Sequence, residues 1–114
     1  MSAAEAVLVV TLAANAALVF GYRVYRLAGG GPLADAIGGA VLAALLGLTA
    51  IGVAAGIEWV RWVALAYGLL FGIAIMPVWV LGVLIPLRPG PIDYAFTALY
   101  WSSLGVIVVT AVAA

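Results

Sequence analysis

A chain of 114 residues that is 69% hydrophobic and 7% charged, with a formal net charge of +0, has the length of one domain but too few polar side chains to cover a surface facing water. Its mean hydropathy of +1.39 makes lipid the solvent, and with Arg23, Arg26, Arg61 and Arg88 as its only basic side chains it has no basic patch to hold nucleic acid. The absence of cysteine and histidine excludes disulfides, thiolate nucleophiles, iron–sulfur and histidine–haem ligation and the usual zinc sites, so no cofactor, metal centre or enzymatic activity is expected.

Gly and Pro clusters divide the chain into four apolar runs, each near or above the roughly 20 residues that cross a ~30 Å hydrocarbon core. The expected fold is all-α: a polytopic membrane protein built as an antiparallel four-transmembrane-helix bundle, with 1–114 as a single transmembrane domain. The first helix, about 3–27, carries an acid and no Lys or Arg before Arg23. A cleaved signal peptide starts with basic residues, so this run reads as a retained span. It stops at Gly29-Gly30-Gly31, residues suited to a left-handed helix cap. The second, about 33–55, opens at Pro32, which favours a first helical turn. Only Gly56 and its neighbours separate it from the third, which implies a tight antiparallel hairpin.

The third run, about 57–87, would be ~46 Å long at 1.5 Å per residue, too long for a straight perpendicular crossing. It must tilt, bend or end early, and Pro77 supplies a bend by removing one backbone hydrogen bond. Pro86 and then Pro89-Gly90-Pro91 lead into the fourth helix, about 92–113. Unbroken runs of Ala, Leu and Gly argue against the alternating strands of a β-barrel.

Arg23, Arg26 and Arg88 flank the first and third connections, while only Arg61 lies near the second. Positively charged loops stay in the cytoplasm, so both termini are expected outside, with a prokaryotic cell membrane as the setting. Glu5, Asp35, Glu58 and Asp93 each fall near the start of a helix, where the dipole favours an anion. Arg61 follows Glu58 by three residues, the spacing of a same-helix ion pair at the interface. Trp59 and Trp62 beside that pair, and Tyr22, Tyr25 and Tyr94 at the opposite end, read as aromatic belts.

Neutral polar groups in hydrocarbon must find partners inside the protein. Asn15 lies ten residues beyond Glu5, ~15 Å deep, and Tyr67 nine beyond Glu58, ~14 Å deep. Ser102 and Ser103 reach the same level from Asp93. Asn15, Tyr67, Ser102 and Ser103 are therefore the candidate midplane cluster, with a direct or water-bridged Asn15–Tyr67 contact expected across the first and third helices. Ala14 and Gly68, being small, are expected to let those two backbones approach.

Small residues recur at four-residue spacing in Gly52–Gly56, Gly68–Gly72 and Gly39-Ala43-Gly47, and Ala95, Ala98, Ser102 and Gly105 form a stripe on the fourth helix. Such patterns support close helix packing. The expected function is that of a small accessory or structural subunit packing against partner helices of a larger membrane assembly, with the lipid bilayer and either other subunits or its own copies as partners. The alternative is a small oligomeric transporter or channel with a polar mid-membrane site.

Overall fold

The computed structural model describes residues 1–86 and 88–114. Four helices are long and apolar enough to cross a membrane: α1 (Ala3–Ala28), α2 (Leu33–Ala54), α3 (Val60–Leu84) and α4 (Pro91–Ala113). They form one bundle, 42 × 22 × 19 Å in extent. In it α1 packs on α2 and α4, and α3 on α4 and α2.

Local chemistry sets most of the helix ends. Ser2 and Glu5 make a capping box at the start of α1, the Ser2 hydroxyl accepting from the Glu5 N–H at 3.1 Å and the Glu5 carboxylate from the Ser2 N–H at 3.2 Å. Two of the orphan donors of the first turn are thereby satisfied. At the other end Gly30 has φ +95°, a conformation that costs a side chain but not glycine. The Gly31 N–H then reaches back to the Arg26 carbonyl at 2.8 Å and the Gly30 N–H to that of Leu27 at 3.1 Å, the paired bonds of a Schellman cap. Gly56 repeats the device after α2, with φ +82° and the Ile57 N–H on the Gly52 carbonyl at 3.1 Å.

The second cap corrects the expected start of α3. Residues 57–59 are spent in the hairpin turn, and the helix begins at Val60 rather than at residue 57. It also ends early, at Leu84, and the expected end at residue 87 lies outside the described residues.

Pro77 acts differently from a simple kink. Residues Leu70–Ile75 and Val80–Leu84 wind as π-helix on either side of Met76–Trp79, so the Met76 N–H bonds to the Phe71 carbonyl, five residues back. In that register the carbonyl of Gly72 faces position 77, and proline has no N–H to give it. Trp101 of α4 fills the gap, its indole N–H donating to the Gly72 carbonyl at 3.0 Å. A backbone acceptor that would be costly to leave bare in lipid is thus paired by a side chain from another helix.

The core runs through the bundle centre: Leu8, Leu12 and Val19 from α1, Leu46, Ala50 and Val53 from α2, Val60, Ala64 and Met76 from α3, and Tyr100, Leu104, Ile107 and Ala111 from α4. Every helix also turns large apolar side chains outward, among them Val10, Leu48, Ile73, Leu81 and Val109, the arrangement a lipid-facing surface requires.

Candidate functional site at the membrane midplane

Asn15 is completely buried, on the α1 face shared with Leu8, Leu12, Val19 and Tyr22. The Tyr67 hydroxyl donates to its Oδ1 at 2.5 Å, and its Nδ2 donates to Ser103 Oγ at 2.7 Å. Ser103 in turn donates to the Tyr100 carbonyl at 2.6 Å. The hydroxyls of Tyr67 and Tyr100 lie 2.5 Å apart. Because the Tyr67 proton already points to Asn15, Tyr100 is the donor of that pair. The network therefore closes on itself through three helices, and no ionised side chain among the described residues enters it.

The structure brings together Asn15, Tyr67 and Ser103 of the expected cluster but not Ser102, which is exposed. Adjacent helical residues point 100° apart, so only one of the two serines can face the centre. Tyr100 takes the remaining place. Its signal was present: Asp93, Phe96, Thr97, Tyr100 and Leu104 recur at three- and four-residue intervals, a single helix face.

Ala14 and Gly68 do not bring the backbones of α1 and α3 together. Ala14 is exposed and lines an outer groove with Ala95 of α4. Gly68 lies against α4, where a Cβ would come 2.8 Å from Val108 Cγ2 and 3.2 Å from the Leu104 carbonyl oxygen. It sets the α3–α4 spacing, and the length of the Tyr67 side chain spans the distance to α1.

The Glu58–Arg61 ion pair is not formed. Glu58 sits in the turn before α3, so the i,i+3 geometry of a helix does not apply to it, and Arg61 instead lies over the Trp62 ring, 4.5 Å from its centroid. Among the described residues the ion pair within 4 Å joins Arg23 to Asp35 at 3.7 Å, across α1 and α2. Of the expected belt tyrosines, Tyr25 and Tyr94 are exposed. Tyr22 is buried, and its hydroxyl donates to Asp93 Oδ1 at 2.5 Å. The other Asp93 oxygen accepts from the Gly90 N–H at 2.8 Å, which caps α4.

An aromatic column connects that end of the bundle to the midplane. The Tyr22 ring stacks on Phe96 at 3.9 Å between centroids and Phe96 on Tyr100 at 5.3 Å, with Tyr67 hydrogen-bonded beyond. Beside the column is a cavity of about 60 Å³ bordered by Arg23, Leu42, Phe71 and Trp79. At the bundle end a wider vestibule of about 250 Å³ is lined by Tyr22, Arg26, Trp79, Leu84, Pro89 and Asp93. No family model, curated relative or solved structure matches the chain. Its chemistry is therefore read from its own side chains: neutral hydrogen bonds at the midplane, which hold helices in register, and charges only toward the ends.

Proposed function

We propose that the chain is a small integral membrane subunit that packs against partner helices in a larger assembly. The outer face of α4 carries this reading. Ala95, Ala98, Ser102 and Gly105 share that face and all are exposed. A Cβ at Gly105 would meet nothing within 4 Å, so no packing within the chain calls for glycine there, although glycine costs a helix interior about 1 kcal/mol relative to alanine. The hydroxyl of Ser102 stands in the same stripe without a side-chain or backbone partner among the described residues. A second helix laid along the stripe gains both close backbone approach and a hydrogen bond, the two features that drive association in lipid.

A photo-crosslinking side chain placed at Ala98 is expected to give an adduct with another transmembrane helix in native membranes. The same probe at Leu48, exposed on α2, is the comparison. Mass spectrometry of the adduct tells a second copy from a different chain, and Gly105→Leu is expected to abolish it. Adducts with lipid alone, or equal yields from both positions, would overturn the reading. A transporter or channel is the second reading, favoured by the cavity beside the aromatic column. A lone homo-oligomer stabilised by a solute would support it.

The orientation proposed has both termini outside, on the strength of the arginine distribution. The chain has no native cysteine, so single cysteines report cleanly. Gly29→Cys and Gly90→Cys are expected to be shielded from an impermeant maleimide in intact cells and labelled after lysis. Strong labelling of both in intact cells reverses the orientation.

A further inference from the structure

An outer groove of about 720 Å³ lies between α1 and α4, within the size range of sites that take small organic molecules. It begins at Ala14, beside the Asn15–Ser103 bond that ties the two helices at the midplane, and runs to Tyr25 and Ile92 near the helix ends. Ala14, Ala17 and Gly21 are exposed along its α1 side. A Cβ at Gly21 would meet nothing within 4 Å, so packing within the chain does not call for glycine there, although it costs a helix interior about 1 kcal/mol relative to alanine. Only two lining residues carry a polar group, Tyr22 and Tyr25. The Tyr22 hydroxyl is committed to Asp93, and Tyr25 stands in the last turn of α1.

The length of the groove decides what fits it. At 1.5 Å per residue the stretch from Ala14 to Tyr25 is about 16 Å, and half of a ~30 Å hydrocarbon core is ~15 Å. The groove therefore spans one leaflet, from the midplane to the interface. A partner helix crosses both leaflets and would be held along only half of its length, whereas a lipid tail of that one leaflet matches the groove from end to end. We infer that the groove holds one acyl chain of a membrane lipid, drawn from the leaflet at the Tyr25 end, with its terminal methyl toward Ala14. The tail is recognised by apolar contact alone: Ala17 and Gly21 are small enough to let it lie close against the α1 backbone, where dispersion contacts accumulate. The headgroup lies beyond Tyr25 and does not decide the choice of lipid. Ala95 is the one residue that the groove shares with the outer stripe of α4, so a tail in the groove and a partner helix on the stripe bind independently.

The test uses the purified full chain in liposomes that contain a trace of phosphatidylcholine with a diazirine midway along one tail, and it maps the lipid adducts after illumination by mass spectrometry. Adducts are expected to concentrate on residues 14–25 and 92–99, above the level on the outward face of α2. Gly21→Leu is expected to lower labelling of the groove roughly tenfold, the effect of displacing about two methylene groups, and Ala17→Leu, one turn away, to do the same. Gly38→Leu is the matched control, since Gly38 is exposed on α2 and a Cβ there would also meet nothing within 4 Å. Excess dioleoyl phosphatidylcholine and dioleoyl phosphatidylglycerol are expected to compete equally, and dihexanoyl phosphatidylcholine, with tails too short to fill the groove, is expected to compete poorly. Adducts spread evenly over the outward faces, labelling unchanged in both Gly21→Leu and Ala17→Leu, or competition that follows the headgroup instead of the tail would overturn the inference. So would a photo-crosslinking side chain at Ala17 that captures another helix in these liposomes.

Discussion

Gly68→Ala is expected to destabilise the detergent-isolated chain by about 1–3 kcal/mol, the range for forcing a methyl group into a packed interior. The added Cβ would stand 2.8 Å from Val108 Cγ2 and 3.2 Å from the Leu104 carbonyl oxygen. The valine can rotate, but the carbonyl belongs to the α4 backbone and yields only if the helices separate. Separation of α3 from α4 would also strain the Tyr67–Tyr100 contact, which lies on the same helix pair. Gly105→Ala is the matched control, because its Cβ would enter open space and alanine is the better helix former. Unfolding in mixed micelles of increasing sodium dodecyl sulfate measures both. A neutral Gly68→Ala, or equal effects at the two glycines, would show that the helices are not in close contact there.

Asn15→Leu is expected to cost about 1–3 kcal/mol in the same assay. It deletes two hydrogen bonds at once, and interhelical bonds in membranes average ~0.6 kcal/mol with a maximum near ~1.7. It also leaves the Tyr67 and Ser103 hydroxyls short of their partner. Tyr67→Phe alone should cost less, and in the Asn15→Leu background most of its effect should vanish, since the bond it breaks is already gone. Ser103→Ala should be felt and Ser102→Ala, on the exposed face, should not. Additivity of Asn15→Leu and Tyr67→Phe within ~0.3 kcal/mol would mean that the two side chains are not coupled.

The two results bear on one question, whether the interior is closed. If the midplane network locks register and Gly68 seats α3 on α4, the inside of the bundle is committed to holding the chain together. Contact with partners is then left to the outer surface, of which the α4 stripe is the part that tests as contact with another helix.

Some of this was legible in the residues alone. Composition and the length of the apolar runs specify four membrane-crossing helices, because hydrocarbon accepts backbone only when its N–H and C=O groups are paired inside the protein, and a helix pairs nearly all of its own. Gly30 marks the end of the first helix because a Schellman cap needs a left-handed residue there. Even the meeting of Asn15 with Tyr67 follows from depth, since helical rise converts sequence distance into height at 1.5 Å per residue. Rotation about the helix axis is what depth cannot supply. Ser102 and Ser103 stand at nearly one height, and their choice rests on how α4 turns, which is set by Tyr22 on Asp93, Phe96 on Tyr22 and Gly68 against Leu104. The same holds for Trp101, whose bond to the Gly72 carbonyl exists because Pro77 leaves that oxygen bare on the side that α4 covers, and for Glu58, which the hairpin turn takes out of helical register with Arg61. Local sequence determines each helix and its ends, where the partners are near neighbours in the chain. The azimuth of each helix was decided only in the assembled bundle, because it depends on side chains 29 to 88 residues apart that meet only after all four helices have packed.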